Sequence, residues 1–169
     1  MEAIILTYQY LQGEFVKATR QYLIASGTIR KYDPAIIAVF LLFSICFRFV
    51  PDLKMLSTII LVATIFFSAL VFFLYFCAPF LMYKKNPKYH AEYMLTFSKD
   101  NIIFKTPNID SVLQWGIYSE LWESNDFYFL IQTPRMYSIV PKRAFKNSAD
   151  KQIFEEIAMS NIKKAKRML

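Results

Sequence analysis

Glycine is nearly absent: Gly13, Gly27 and Gly116 are the three in 169 residues. Neither a phosphate-cradling P-loop nor a dinucleotide fingerprint can be written with so few, because both need several glycines within one loop. Histidine occurs once, as His90, and the two cysteines, Cys46 and Cys77, lie inside apolar runs. That excludes the usual zinc ligand sets and Cys-His catalysis. It also implies neither a disulfide framework nor a redox compartment. No nucleophile elbow accompanies His90, which reads as an interfacial or domain-edge residue. Glu120, Glu123 and Asp126 are close in sequence, but Glu120 and Glu123 point to opposite faces of an extended strand, so no paired-acid site emerges. No cofactor and no enzymatic activity are expected. The first ten residues, MEAIILTYQY, have no basic run and no small-residue cleavage site, so they do not read as a secretory signal.

What the chain has in excess is apolar length. Hydrophobic residues make up 56% and aromatics 18%, the composition of a membrane protein with a soluble portion attached. From Ala35 to Tyr83 two apolar arms are separated by the polar tetrad Pro51-Asp52-Leu53-Lys54. The first, AIIAVFLLFSICFRFV, carries one charge, Arg48, near its end; the second runs from Met55 to Tyr83 without a charge. A bilayer core needs about 20 helical residues, so the second arm suffices and the first sits at the lower limit. Backbone groups in lipid must be paired internally, which makes a helical hairpin over residues 34–83 (about 34–50 and 55–83) the expected form. Asp33-Pro34 reads as an N-cap followed by proline at N1. Pro51 ends the first helix, and Arg48 is expected to snorkel to the outer interface. The second arm, at about 43 Å, exceeds the hydrocarbon thickness and should tilt or project, with Pro79 loosening its final stretch.

The net charge is +7 and unevenly placed. Lys17, Arg20, Arg30 and Lys31 precede the first arm, Arg48 and Lys54 lie between, and fourteen Lys/Arg follow the second. Positive-inside bias therefore puts both termini in the cytoplasm of a multi-pass protein. The positive charge is accounted for by an anionic leaflet, and nucleic acid is not expected as a partner. Residues 1–33 read as a β-prone run, Ala3 to Tyr8, followed by an amphipathic helix from Leu11 to Ser26. That helix carries its apolar stripe on Leu11, Phe15, Ala18, Tyr22 and Leu23 or Ala25, and stops at Gly27.

Residues 84–169 form the second expected domain, entered through Lys84-Lys85-Asn86-Pro87-Lys88. Short β-runs follow: Ala91–Phe97, Ile102–Thr106, Ser111–Trp115, Tyr118–Trp122, Phe127–Gln132 and Met136–Val140, with turns at 98–101, 107–108, 124–126 and Thr133-Pro134-Arg135. Asn147 or Ser148 caps a final helix whose apolar spacing continues through Asn161 to Ala165. Six strands, a possible seventh from Ile4 to Tyr8, and one helix are the parts of a small antiparallel barrel or curved sheet of pleckstrin-homology-like (PH-like) type. The predicted class is thus an α+β membrane protein: a two-helix hairpin plus this domain, capped by its C-terminal helix.

Three stretches carry a family resemblance: Ser111 to Trp115 with Ile117 and Glu120, the strand Asp126-Phe-Tyr-Phe-Leu-Ile131, and Ile139-Val-Pro-Lys-Arg-Ala-Phe145. The chain resembles the YcxB-like family of bacterial membrane proteins, which implies the bacterial cytoplasmic membrane and a PH-like C-terminal domain but no established activity. The signature residues Trp115, Pro141, Lys142 and Phe145 read as structural. Pro141 ends a strand, Lys142 and Arg143 stay in solvent, Phe145 inserts under the sheet, and the Trp115 indole seeks one acceptor. The remaining candidate is a basic, membrane-proximal patch of Lys84, Lys85, Lys88, Lys142, Arg143, Lys146, Lys163, Lys164, Lys166 and Arg167. It would orient the domain on anionic lipid head groups or meet another membrane protein or a second copy. The expected function is a membrane-anchored, non-enzymatic module whose PH-like domain binds a protein segment or lipid head group. The alternatives are a tolerance factor against a membrane-active antimicrobial peptide and an accessory subunit of a transporter.

Overall fold

The computed structural model describes residues 3–134 and 136–168; Met1, Glu2 and the Arg135 of the predicted 133–135 turn lie outside them. It divides into two units. One comprises residues 1–14 and 86–169, the other residues 15–85, a different grouping from the 1–33, 34–83 and 84–169 division read from the sequence.

The first unit is α+β. Strands β1 (Ile4–Gln9), β2 (Glu92–Phe97), β3 (Asn101–Thr106) and β4 (Ile109–Gln114) form an antiparallel sheet in that order. The N-terminal strand is thus part of this sheet, in register from Ile4 opposite Phe97 to Gln9 opposite Glu92. Its alternation explains why: Ile4, Leu6 and Tyr8 turn inward and are buried, while the residues between them are exposed. The second sheet has the order β7 (Met136–Pro141), β6 (Phe127–Thr133), β5 (Glu120–Glu123), β8 (Lys164–Arg167). Its first three strands are antiparallel, and β8 joins β5 in parallel. Residues 127–131 of β6 are all buried, so the strand is covered on both faces.

The predicted barrel is corrected by this topology. Neither sheet closes on itself. β4 and β5 are consecutive in the chain, but the 3-10 turn Trp115–Ile117 breaks the path between them and sends β5 into the other sheet. At the opposite seam β1 meets β7 through side chains: the Tyr8 and Tyr10 hydroxyls both donate to the Ile139 carbonyl, at 2.9 and 2.5 Å. Helix α5 (Ser148–Asn161) fills the space between the sheets, its Phe154 ring 4.8 Å from Phe97 and 5.0 Å from Tyr128. Asn147 is its N-cap, accepting from the Asp150 N–H at 2.7 Å. The helix stops at Asn161, short of the predicted 161–165 continuation. Ile162 is 3% exposed and extended, which anchors the chain and turns Lys164–Arg167 into a strand.

The second unit is helical. Helix α1 (Gln12–Ala25) enters it at Phe15 and buries Phe15, Ala18, Thr19 and Tyr22; Leu11, assigned to that stripe from spacing, is 60% exposed. Gly27, at φ +76°, ends α1 in the left-handed conformation that glycine tolerates. Helices α2 (Asp33–Arg48) and α3 (Lys54–Phe72) pack on each other. Asp33 is not the predicted N-cap of α2: it lies inside the first turn, and its carboxylate accepts from the Arg30 N–H at 2.8 Å. Ser44 and Ser57 donate to each other's carbonyls at 3.1 and 2.7 Å. After α3 the helix loosens into a π-turn, Phe73–Cys77, and continues as α4 (Ala78–Lys85). The cause is Pro79, which has no N–H to offer the Tyr75 carbonyl four residues back. Arg20 of α1 supplies that acceptor from Nε at 3.0 Å, and its guanidinium lies 5.0 and 5.1 Å from the Tyr75 and Phe76 rings. Pro51 to Lys85 is the one helical stretch among the described residues long and apolar enough to cross a membrane.

Candidate functional site

The strand end at Pro141 gathers Lys142 and Arg143 with their carboxylate partners, Glu123 and Glu14. The proline, fully buried, closes β7, and the Lys142 N–H donates to the Asp126 carbonyl at 2.8 Å. That bond turns the Lys142 side chain inward, where Nζ bonds Glu123 Oε1 at 2.7 Å and lies 4.7 Å from the Tyr128 ring centre. Lys142 is 13% exposed and Glu123 23% exposed. Arg143 extends the other way, donating to the Glu14 carboxylate and, at 2.9 Å, to the Gln9 carbonyl. The expectation that Lys142 stays in solvent is therefore corrected, its side chain turning into the second sheet, whereas Arg143 is exposed as expected while it ties β1 to the turn after β7.

Electrostatics follow the contacts. The Arg143 hydrogen bond holds the Glu14 carboxyl below the ordinary range, against a partial burial that would raise it. Partial burial would raise Glu123 as well, but the Lys142 hydrogen bond and charge, with Arg167 behind them, keep it lowered. Tyr128, which donates to the Glu155 carboxylate, is pushed up by burial and by that neighbour.

The other members of the predicted patch have separate surroundings. Lys164 Nζ lies 3.9 Å from Glu120 Oε1, Arg167 Nε 3.5 Å from Glu123 Oε2, and Lys166 Nζ 4.5 Å from the Trp122 ring centre. These three belong to β8 and line the β5 edge. Lys163 is exposed just before them. Lys146 is exposed beside an open groove of about 390 Å³ lined by Ala3, Ile4, Asn147, Asp150 and Ile153. Lys88 sits 4.8 Å over the Tyr89 ring. Lys84 and Lys85, exposed at the end of α4, belong to the helical unit. Sequence proximity suggested one surface; in the α+β unit the cations are spread over a clamp, a strand edge and a groove.

The signature aromatics are internal. Trp115 is 3% exposed, its Nε1 donating to the Ser98 carbonyl at 2.8 Å. Phe145 packs its ring 5.3 Å from Phe154 and 5.9 Å from Tyr128. Glu120 and Glu123 hold different partners, Glu120 accepting from Trp122 Nε1 at 2.6 Å. Among the described residues no group of three or more His, Cys, Asp or Glu could hold a metal. Sequence reasoning missed a tyrosine cluster: Tyr8 stacks on Tyr93 at 5.6 Å, and Tyr10 meets Tyr93 edge-on at 5.0 Å. Burial pushes Tyr8 and Tyr10 up strongly and Tyr93 to about 12. The signal was present as Tyr8-x-Tyr10, two phenols on one face of a strand.

The YcxB-like protein family model matches residues 97–158. This stretch is similar to the YcxB-like family. It runs from the last residue of β2 into α5 and contains the Lys142 clamp, Trp115 and Phe145, but neither β1, nor the helical unit, nor β8. The chain is also similar to an uncharacterized protein, YcxB, of Bacillus subtilis (strain 168), 23% identical over 110 residues. That alignment takes in 65% of this chain and spans 60% of the length of the relative. No solved structure matches. The matched stretch makes up the cross-braced half of the α+β unit.

Proposed function

We propose that the protein is a membrane-anchored, non-enzymatic interaction module, with α2 and the Pro51–Lys85 helix as a two-span anchor and the α+β unit as a PH-like domain that binds a protein segment on the cytoplasmic side. The observation that carries the anchor is an inverted burial pattern. In α2 and α3 the buried residues are Asp33, Ser44, Ser57 and Thr64, whereas Leu42, Ile45, Val62, Ile65 and Phe66 are 58–73% exposed. Water penalises that arrangement and lipid favours it, since small polar residues are the usual contact between helices in a bilayer.

Chain topology supports an even number of crossings. β1 precedes the helices and β2 follows them, yet the two are hydrogen-bonded neighbours in one sheet. Residues 9 and 92 must then lie on the same side of any membrane crossed between them. The basic residues flanking the helices favour the cytoplasmic side. A protein segment is favoured over a lipid head group because Lys142 and Arg143, the cations best placed to hold a phosphate, are already paired with Glu123 and Glu14.

The test is thiol labelling of the full chain in sealed vesicles, in a Cys46→Ala, Cys77→Ala background. Cysteines at Lys31 and Lys99 are expected to label from one side and a cysteine at Asp52 from the other, with the chain resistant to alkaline extraction. Labelling of positions 31 and 99 from opposite sides, or release at high pH, overturns the anchor. A photoreactive residue at Val112, 60% exposed on β4, tests the module: recurrent protein adducts support it, and adducts to lipid alone overturn it.

A further inference from the structure

The β5 edge is a built receptor for an extended basic strand. Its three recognition groups are positioned from within the domain: Glu123 by Lys142 at 2.7 Å, Glu120 by the Trp122 indole at 2.6 Å, and the Trp122 ring by burial to 8% exposure. The two hydrogen bonds do not involve β8, whose Lys166 adds cover over the Trp122 ring at 4.5 Å. Against this edge lies Lys-Ala-Lys-Arg, paired in parallel with Glu120 opposite Lys164 and Glu123 opposite Arg167. Strand alternation puts Lys164 and Lys166 on the face of Glu120 and Trp122, and Arg167 on the face of Glu123. The edge thus reads the pattern Lys-x-Lys-Arg, with the exposed Ala165 opposite buried Leu121.

The strand that occupies the edge is held weakly. All four β8 residues are exposed, and the Lys164 and Arg167 side chains are 77% and 81% exposed. Ion pairs in such positions are screened and weak, and parallel pairing is slightly less stable than antiparallel. The fixed point is Ile162, buried just before it. Beyond the backbone ladder and the Met168 N–H donated to the Glu123 carbonyl at 2.7 Å, the occupant contributes only exposed side chains to an edge whose carboxylates are held by Lys142 and the Trp122 indole, which describes a displaceable contact.

We propose that β8 is a built-in pseudo-ligand, and that the β5 edge docks by strand addition a lysine- and arginine-rich extended segment of a partner protein, which must displace β8 to bind. This rests on the reading of the α+β unit as an interaction module and names the class of segment it takes. The charge complementarity of Glu120, Trp122 and Glu123 to β8 selects that occupant.

The probe is a labelled peptide of the sequence at residues 163–168, KKAKRM, titrated against the full chain in detergent micelles. Lys164→Glu with Arg167→Glu sets β8 against its own receptor. That variant is expected to bind the peptide at least tenfold more tightly than the unaltered chain, with affinity falling as salt rises. The same peptide with glutamate at its basic positions is expected not to bind. Equal affinity for both chains, or no loss when Glu120→Gln is added, overturns the proposal. A second readout needs no variant: excess peptide should accelerate amide exchange at residues 165–168 of the unaltered chain, and unchanged exchange with the peptide present in excess refutes displacement. If the peptide fails while Val112 still yields protein adducts, the module stands and the β5 edge is excluded; if it binds without such adducts, the edge stands and the wider reading falls.

Discussion

Replacing Lys142 with methionine keeps an unbranched side chain beside Tyr128 and removes the charge that holds Glu123. The pair is mostly shielded, at 13% and 23% exposure and 2.7 Å. Its energy falls between the 0–1 kcal/mol of a surface pair and the 3–5 kcal/mol lost when a fully buried pair is broken; about 1–2 kcal/mol is expected. Arg167, 81% exposed, compensates little. For a domain of this size that corresponds to a fall of about 4–15 °C in midpoint, read in detergent from the near-ultraviolet signal of Trp115 and Trp122. The pH dependence gives the sharper check. The folded Glu123 carboxyl titrates below the ordinary value of about 4.3, so its stabilisation is complete above that value and is lost as pH falls through the lower, folded one. The gap between the two proteins should stay constant from neutral pH down to about 5 and close in stronger acid. A Lys142→Met protein within 0.3 kcal/mol of the parent, roughly the resolution of such comparisons, or a gap indifferent to acid, would refute the assignment. A cycle with Glu123→Gln should return a coupling of about 1 kcal/mol or more.

Trp115→Ala should cost about 3–5 kcal/mol, since it empties a buried site and strands the Ser98 carbonyl; a near-neutral melt would place Trp115 outside the core. Tyr8→Phe should cost about 1 kcal/mol because Tyr10 still serves Ile139, while the double Phe variant should exceed the sum of the singles as that buried carbonyl loses both donors; strict additivity would refute the shared-acceptor account. Arg20→Ala should lower the thermal midpoint of the helical unit, and less so in a Pro79→Ala background, where a backbone N–H again reaches the Tyr75 carbonyl; equal losses in both would sever the link between the proline and the arginine.

Local chemistry written in adjacent residues was legible. Gly27 as a helix stop, Asn147 as a cap, the turn at 98–101 and the alternation of β1 all depend on neighbours a few residues apart. So did the apolar length of the second arm. The charges were not legible. Lys142 and Arg143 are adjacent, yet one reaches Glu123 and the other Glu14, pairings that depend on the Asp126 carbonyl and on β1 lying beside the turn. Nor does spacing alone reveal that α5 ends at Asn161: Lys163 to Ala165 keep helical periodicity, and the burial of Ile162 overrides it. Residue types alone show which segments are apolar, that Gly27 stops one helix and Asn147 caps another, and that three scattered glycines cannot write a P-loop or a dinucleotide fingerprint. Only the folded chain shows that β1 joins β2 across the intervening helices, that the sheets stay open at Trp115–Ile117, and that three basic residues and an alanine become a strand on an acidic edge. Each of those outcomes is a contact between residues far apart in the chain, where burial and charge neutralisation outweigh local preference.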